Sequence, residues 1–254
     1  MVIGVCLCYI DWTLDQGIPV PGDSALWTSK YLGNNYGLVK SGPAANWKAY
    51  PRDCANSWPT VYRAVVQGSS GKNSLHTDAK IAAVYAKTDY PNICVPYNNA
   101  FESYHNSVHT YVGGHMTMLS CAPNDPIFYF HHTYVDCLWQ EFRLNHQQTN
   151  LETDYPRDPN MVSDYHKADD IMSPFTNLRN IDGLSKGYSK QYACQKRPIA
   201  CVQQKDCNSD ILWCNKGRCL AKIREGGKCE NLPNESCYSE NCKSPKCVNG
   251  ICKC

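Results

Sequence analysis

Nowhere in its 254 residues does this chain hold an apolar run long enough to span a bilayer, which takes about 20 consecutive apolar residues. A helical membrane anchor is therefore not expected. A dominant sign of charge is missing too: 25 Lys and Arg against 23 Asp and Glu leave a net charge of +2. Without a basic excess, neither nucleic acid nor an anionic membrane is an expected partner. The opening run from Met1 to Ile10 is apolar but has no basic residue ahead of it and no small-residue cleavage site. It reads as a buried strand rather than a signal peptide. The C-x-x-C pairs that mark zinc modules are absent, and no internal repeat is apparent.

Cysteine is abundant. Seventeen are present, far above cytosolic usage, and they are unevenly spread. Six lie before residue 190 (Cys6, Cys8, Cys54, Cys94, Cys121, Cys137), and eleven crowd between Cys194 and Cys254. That density predicts a disulfide scaffold made in an oxidising compartment, hence a secreted protein. A secreted protein that shows no leader suggests a start upstream of Met1. The odd count leaves at least one thiol unpaired within the chain.

Residues 1–53 read as irregular. From Cys54 the pattern turns helical, beginning with the short apolar stretch Val61, Tyr62, Ala64, Val65 and Val66, stopped at Gly68. Thr77 and Asp78 can cap a helix carrying Ile81, Ala82, Val84 and Tyr85. A further helix is expected from about Asn98 to Val112, closing at Gly113-Gly114. Another starts at Asn124-Asp125-Pro126, an Asn or Asp cap before proline, and runs to about His146. Four such helices fit a bundle whose interior can hold a metal. Residues 150–190 are polar and expected as loops. The tail, with Cys194 to Cys219 in one cluster and Cys229 to Cys254 in another, has too few large apolar side chains for a core and must rely on disulfides. It is expected to have little regular structure and to dock lightly.

Three of the eight histidines stand in a meaningful arrangement. His105 and His109, four apart on a helix, project from one face about one turn apart. His132, near the start of the next helix, can face them. Three neutral imidazoles converging in a helical core suit copper or zinc. His76, His115, His146 and His166 read as solvent-exposed.

The surrounding residues narrow this. His105-Asn106-Ser107-Val108-His109, then Gly113-Gly114-His115-Met116, then Ala122-Pro123-Asn124-Asp125-Pro126-Ile127-Phe128-Tyr129-Phe130-His131-His132 closely resemble the second copper site of the tyrosinase and haemocyanin family. Upstream, Tyr9-Ile10-Asp11-Trp12 looks like that family's Tyr-Trp-Asp-Trp stretch, with Ile10 replacing a tryptophan. The likeness covers roughly residues 5–145. It implies a mainly α fold: the helical-bundle core of a tyrosinase-like domain over residues 1–190, without the helices of the first copper site. A disulfide-rich, mostly irregular tail follows over 194–254, similar to extensions on molluscan-type secreted members. It implies copper, with His105, His109 and His132 as ligands. His131 would support the site from behind, Phe128 would pack on the ligand rings, and Asn106 would help orient a water. Glu102 and Asp136 are candidate carboxylate partners for the ligand rings, and an ordinary solvated carboxylate or helix ion pair accounts for either equally well. Leu119 falls in the loop over the metal.

A type-3 centre in this family uses two coppers and six histidines, and the first trio precedes the Tyr-Trp-Asp-Trp stretch. That stretch begins here at Tyr9, so the expected function is that of a phenol or catechol oxidase family member carrying the second copper site alone. It is expected to be inactive as given, with phenolic or catecholic small molecules as substrates if active. The alternative is a non-catalytic secreted matrix protein that keeps the fold and associates with other matrix proteins. An oxygen carrier fits least, because carriers are built from many complete sites. Asn234-Glu235-Ser236 matches a glycosylation acceptor.

Overall fold

The computed structural model describes residues 7–94, 100–158, 162, 166–195 and 199–254. Helix dominates, at 37% against 13% strand. The α-helices are α1 (Arg52–Ser57), α2 (Asp78–Tyr85), α3 (Phe101–Val112), α4 (Ile127–Asn145) and α5 (Lys186–Ser189). The strands are β1 (Tyr36–Leu38), β2 (Tyr62–Ala64), β3 (Leu212–Asn215), β4 (Arg218–Ala221), β5 (Ile223–Arg224), β6 (Cys237–Tyr238), β7 (Lys246–Val248) and β8 (Ile251–Lys253). They pair two by two in order. The chain forms two compact units, one of Met1–Thr77, Ser107–Thr133 and Arg197–Cys254, the other of Asp78–Asn106 and Tyr134–Lys196. Among the described residues no helix is long and apolar enough to cross a membrane.

The expected start of α4 and end of α3 are in place, while α3 begins at Phe101 and the expected start at Asn98 lies outside the described residues. At α4 the Asp125 carboxylate accepts the Ile127 N–H at 3.0 Å, and Pro126, which has no N–H to satisfy, sits at the helix entry. Helix α3 stops at Gly113 and Gly114, with φ of +67° and +56°. A Cβ there would lie 2.7 Å from the Ala64 carbonyl oxygen and 2.1 Å from that of Tyr62. Only glycine permits both the left-handed turn and this approach to β2. The stretch after Pro59, read as helical, is instead β2, antiparallel to β1 with Tyr36 opposite Ala64 and Leu38 opposite Tyr62. Its burial alternates: Val61, Arg63 and Val65 are inside, Tyr62 and Ala64 half-exposed. That is the strand period of two, disguised in the sequence by an arginine on the inner face. The strand expected at the N-terminus is not formed by residues 7–10, and Met1–Cys6 lie outside the described residues.

Arg63 occupies that inner face because its charge is fully matched. Nε and Nη2 donate to the two Asp125 carboxylate oxygens at 2.6 and 2.8 Å, and Nη1 donates to the Leu32 carbonyl at 2.6 Å. Both side chains have 0% exposure. Bidentate geometry with the remaining donors satisfied is what makes a buried ion pair tolerable.

In the second unit, Val84 of α2, Ile93, Phe101 of α3 and Phe142 of α4 form a buried cluster, with Tyr90, Val135, Leu138 and Trp139 packed against it. The Arg143 guanidinium lies 4.5 Å from the Trp139 ring centroid and donates to the carbonyls of Leu151 and Leu184. A single cation thus ties down the polar loops after α4. Cys137 on α4 pairs with Cys194, which removes Cys194 from the tail cluster in which the sequence placed it.

The tail is more ordered and more deeply engaged than its composition predicts. It holds two hairpins built alike. In β3–β4, Cys214 faces Cys219 across a turn at Lys216-Gly217 with φ of +47° and +89°. In β7–β8, Cys247 faces Cys252 across Asn249-Gly250 with φ of +51° and +76°. Both are two-residue turns with positive φ at each central position, the form that matches strand twist. Each hairpin is crossed by two bridges in the same order, Cys201–Cys214 with Cys207–Cys219 and Cys229–Cys247 with Cys237–Cys252. The tail therefore contains an internal repeat. Its buried cysteines form one core with Leu14, Ile18, Leu212 and Ile223. The Ala25 N–H donates to the Lys222 carbonyl at 2.8 Å and the Ala221 N–H to that of Leu14 at 3.0 Å. This is not light docking.

Four outcomes follow from this architecture. Asp125→Ala leaves a buried guanidinium without its counter-charge and is expected to cost about 3–5 kcal/mol in denaturant unfolding. Asp169→Ala, which removes the exposed partner of Arg179, should change stability by no more than about 1 kcal/mol. Non-reducing peptide mapping should recover the crossed pairs within each hairpin; Cys201 joined to Cys207 would contradict the repeat. Among the described residues Cys8 and Cys94 are free thiols. Burial pushes the Cys94 thiol up to about 12. Little of it is thiolate at pH 8, and native alkylation should label exposed Cys8 far faster.

Candidate metal centre

Helix α3 carries His105 and His109 one turn apart, and the first turns of α4 carry His131 and His132. The ring nitrogens of His105, His109 and His132 gather so that one from each lies within 4.8 Å of the others. His109 Nε2 and His132 Nε2 are 3.2 Å apart, within the roughly 3–4 Å expected of nitrogens bound about 2 Å from one ion. All three rings are partly buried. The arrangement can chelate a cation through neutral imidazoles.

Electrostatics favour the neutral state. Burial, with the neighbouring His109 adding to it, lowers His132 to about 4. Burial also lowers His109, although its bond to the Met116 carbonyl acts in the opposite sense. That bond, 2.7 Å from Nδ1 to the Met116 oxygen, places the His109 proton on Nδ1. It leaves the Nε2 lone pair bare towards His132. The His105 Nδ1 lies 3.0 Å from the Asn106 side-chain oxygen, so Asn106 engages the His105 ring directly. Phe128, one turn before His132, stacks on it with centroids 4.0 Å apart and meets the His109 ring edge-on at 6.1 Å.

The other expected partners divide. His131 is fully buried, accepts the Trp12 indole N–H at Nδ1 over 3.1 Å, and packs edge-on against His109 at 5.3 Å. Glu102 is exposed on the first turn of α3, and its charge is felt by Cys94 and Tyr90. Asp136 is raised by burial and hydrogen-bonds Tyr192. Leu119 is 98% exposed in the loop after Met116.

Two histidines read as solvent-exposed are buried. His76 lies 5.9 Å from the His131 ring, and His115 accepts the Tyr62 N–H at Nδ1 over 3.0 Å while Trp58 packs against its ring. Neither role is visible locally, because both partners are distant in sequence. Trp12 and Met116 were missed for the same reason. For Met116 the Gly113-Gly114 turn, which folds the chain back over α3, was the available signal.

Comparison with known proteins agrees with this geometry. The common central domain of tyrosinase matches residues 3–145. The putative tyrosinase-like protein tyr-3 of Caenorhabditis elegans is 36% identical over 96% of this chain and 37% of its own length. Tyrosinase-like protein 2 of Margaritifera margaritifera is 29% identical over 90% of this chain and 54% of its own. The tyrosinase of Streptomyces antibioticus is 32% identical over 56% of this chain and 55% of its own. The chain thus spans between about a third and just over half of these relatives. Matched over more than half its residues by the tyrosinase domain, and bearing a three-histidine group within that match, the chain belongs to the tyrosinase family of copper-binding proteins.

Proposed function

We propose that this chain holds one copper ion through His105, His109 and His132, as the second metal site of a tyrosinase-like oxidase. The observation that carries this is the pair of facing Nε2 atoms at 3.2 Å, one of them freed by the Met116 carbonyl. The bare Nε2 of His109 can accept the proton of His132 Nε2 at that distance or share a cation with it, and a donor set of three neutral nitrogens suits copper. Copper bound there supplies a Lewis-acidic, redox-active centre. The chain's own residues do the rest. Met116 fixes the His109 tautomer, Phe128 covers one face of His132, and burial keeps the rings uncharged.

Among the described residues this is the one histidine group able to hold a metal; the two other groups are cysteines already paired in disulfides. Oxidation of a phenol by this family's chemistry uses two metals. The proposal is therefore that the described chain alone binds copper without oxidising catechols, and that phenol or catechol oxidation belongs to a complete protein with a second trio. Seven disulfides among the described residues support an extracellular setting.

Copper titration of the purified chain is expected to saturate at about one ion per molecule, since one trio makes one site. His132→Ala should abolish that binding while far-ultraviolet circular dichroism stays unchanged. Turnover of a simple catechol, or two ions bound per chain, would defeat the single-site reading.

A further inference from the structure

We infer that Trp12 is a positioning residue for the metal site: its indole N–H fixes His131, and His131 in turn fixes the ring of His109. This rests on the copper reading above and concerns residues that touch no metal. Trp12 and His131 are 119 residues apart in sequence, and the bond between them is fully buried, Nε1 to Nδ1 at 3.1 Å. An indole nitrogen only donates, so Nδ1 of His131 must be the bare nitrogen and Nε2 must carry the proton. The ring is thereby locked in one tautomer and one orientation. In that orientation its centroid lies 5.3 Å from His109 and 5.6 Å from His132, edge-on to both. His109 is held at Nδ1 by Met116. The flank presented by His131 packs against the same ring and limits its rotation.

Trp12 is itself held hard. Its ring is buried and meets Tyr111 edge-on at 6.0 Å. The following residues are clamped by the tail: Thr13 Oγ1 accepts from Arg218 Nη2 at 3.2 Å and the Leu14 carbonyl from Ala221. A Cβ on Gly17 would fall 2.3 Å from Leu220, so the chain passes the β4 strand with no room to spare. The disulfide-held hairpin sets Trp12, Trp12 sets His131, and His131 sets a ligand ring. Partners beyond the ligands commonly govern metal affinity in this way.

A double-mutant cycle on copper affinity, measured by competition with a chromophoric chelator, tests the coupling. Trp12→Phe keeps an aromatic ring and removes the N–H; it should weaken binding about tenfold. His131→Leu should weaken it similarly, and the double variant no further. An equal loss from Trp12→Phe in the His131→Leu background would mean that Trp12 acts by packing alone and would overturn the inference. If His131→Leu does not fold, His131→Phe, which keeps a ring and lacks the accepting nitrogen, replaces it, and Trp12→Phe should then again cost nothing further. Nitrogen-15 NMR of the metal-free protein supplies the independent arm. His131 should show a bare Nδ1 and a protonated Nε2, and Trp12→Phe should shift the ring signals of both His131 and His109. A protonated Nδ1 on His131, or an unmoved His109, refutes the proposal. Should the wild-type chain bind no copper, the metal reading falls, and this arm alone decides the positioning role.

Discussion

Arg63 and Asp125 meet where water does not reach, and most of the first unit is arranged around their contact. An isolated guanidinium or carboxylate in that position would be costly, so the surrounding backbone is committed to satisfying both. The Leu32 and Asn34 carbonyls turn inward to the remaining guanidinium nitrogen. Asp125, besides holding Arg63, caps α4 through the Ile127 N–H. The residues flanking Arg63 extend the same constraint: the Tyr62 N–H is taken by His115, and the Ala64 carbonyl lies where only glycine fits at the end of α3. One strand of three residues thereby sets the end of one histidine-bearing helix and the start of the other. A buried ion pair is often no more stabilising than hydrophobic residues of equal volume, but breaking it by removing one partner is costly.

The same unit is closed by covalent means where apolar burial is thin. Among the buried residues of the core that joins the tail to Leu14 and Ile18, the cysteines outnumber the large aliphatic side chains. Disulfide sulfur here is core material as well as cross-link. Short loops closed by each bridge restrict the unfolded chain and leave the folded hairpins little to gain from packing. Repeating one crossed-bridge hairpin builds two such units from a single solution.

Which of these features could be read from the sequence depended on the range over which each is encoded. Helices α2, α3 and α4 were legible because their signals are local: Asp78 at a start, Gly113 at an end, Asp125-Pro126 at another start. The three clustered histidines were legible for the same reason, two by helical spacing and the third by the run around it. Strand β2 was misread because its buried face carries Arg63, whose partner lies 62 residues away. His76 and His115 were misplaced at the surface because burial of a polar ring depends on tertiary neighbours. The tail repeat was in view all along, as Cys-Asn-Lys-Gly-Arg-Cys and Cys-Val-Asn-Gly-Ile-Cys. Only the spacing within each hairpin is kept, and unequal intervening loops hid it.

The buried imidazoles raise a question that proximity alone does not answer: why some of them can take a metal and others not. Burial makes them neutral, and a neutral ring has one protonated nitrogen and one bare one. The protein chooses between them at Nδ1. At His109 the partner is a carbonyl, so Nδ1 keeps the proton and Nε2 presents a lone pair. At His115 the partner is a backbone N–H, and at His131 an indole N–H. Both therefore have their bare nitrogen occupied and their proton on Nε2, which at His115 points to the Cys54 carbonyl. His131 packs edge-on against the rings of His109 and His132, yet its bare nitrogen is already taken by Trp12. At these three rings the nitrogen left bare is set by the polarity of one hydrogen bond at Nδ1. The groups that write it, Met116, Tyr62 and Trp12, are held by the β2 ion pair, the glycine turn and the disulfide tail.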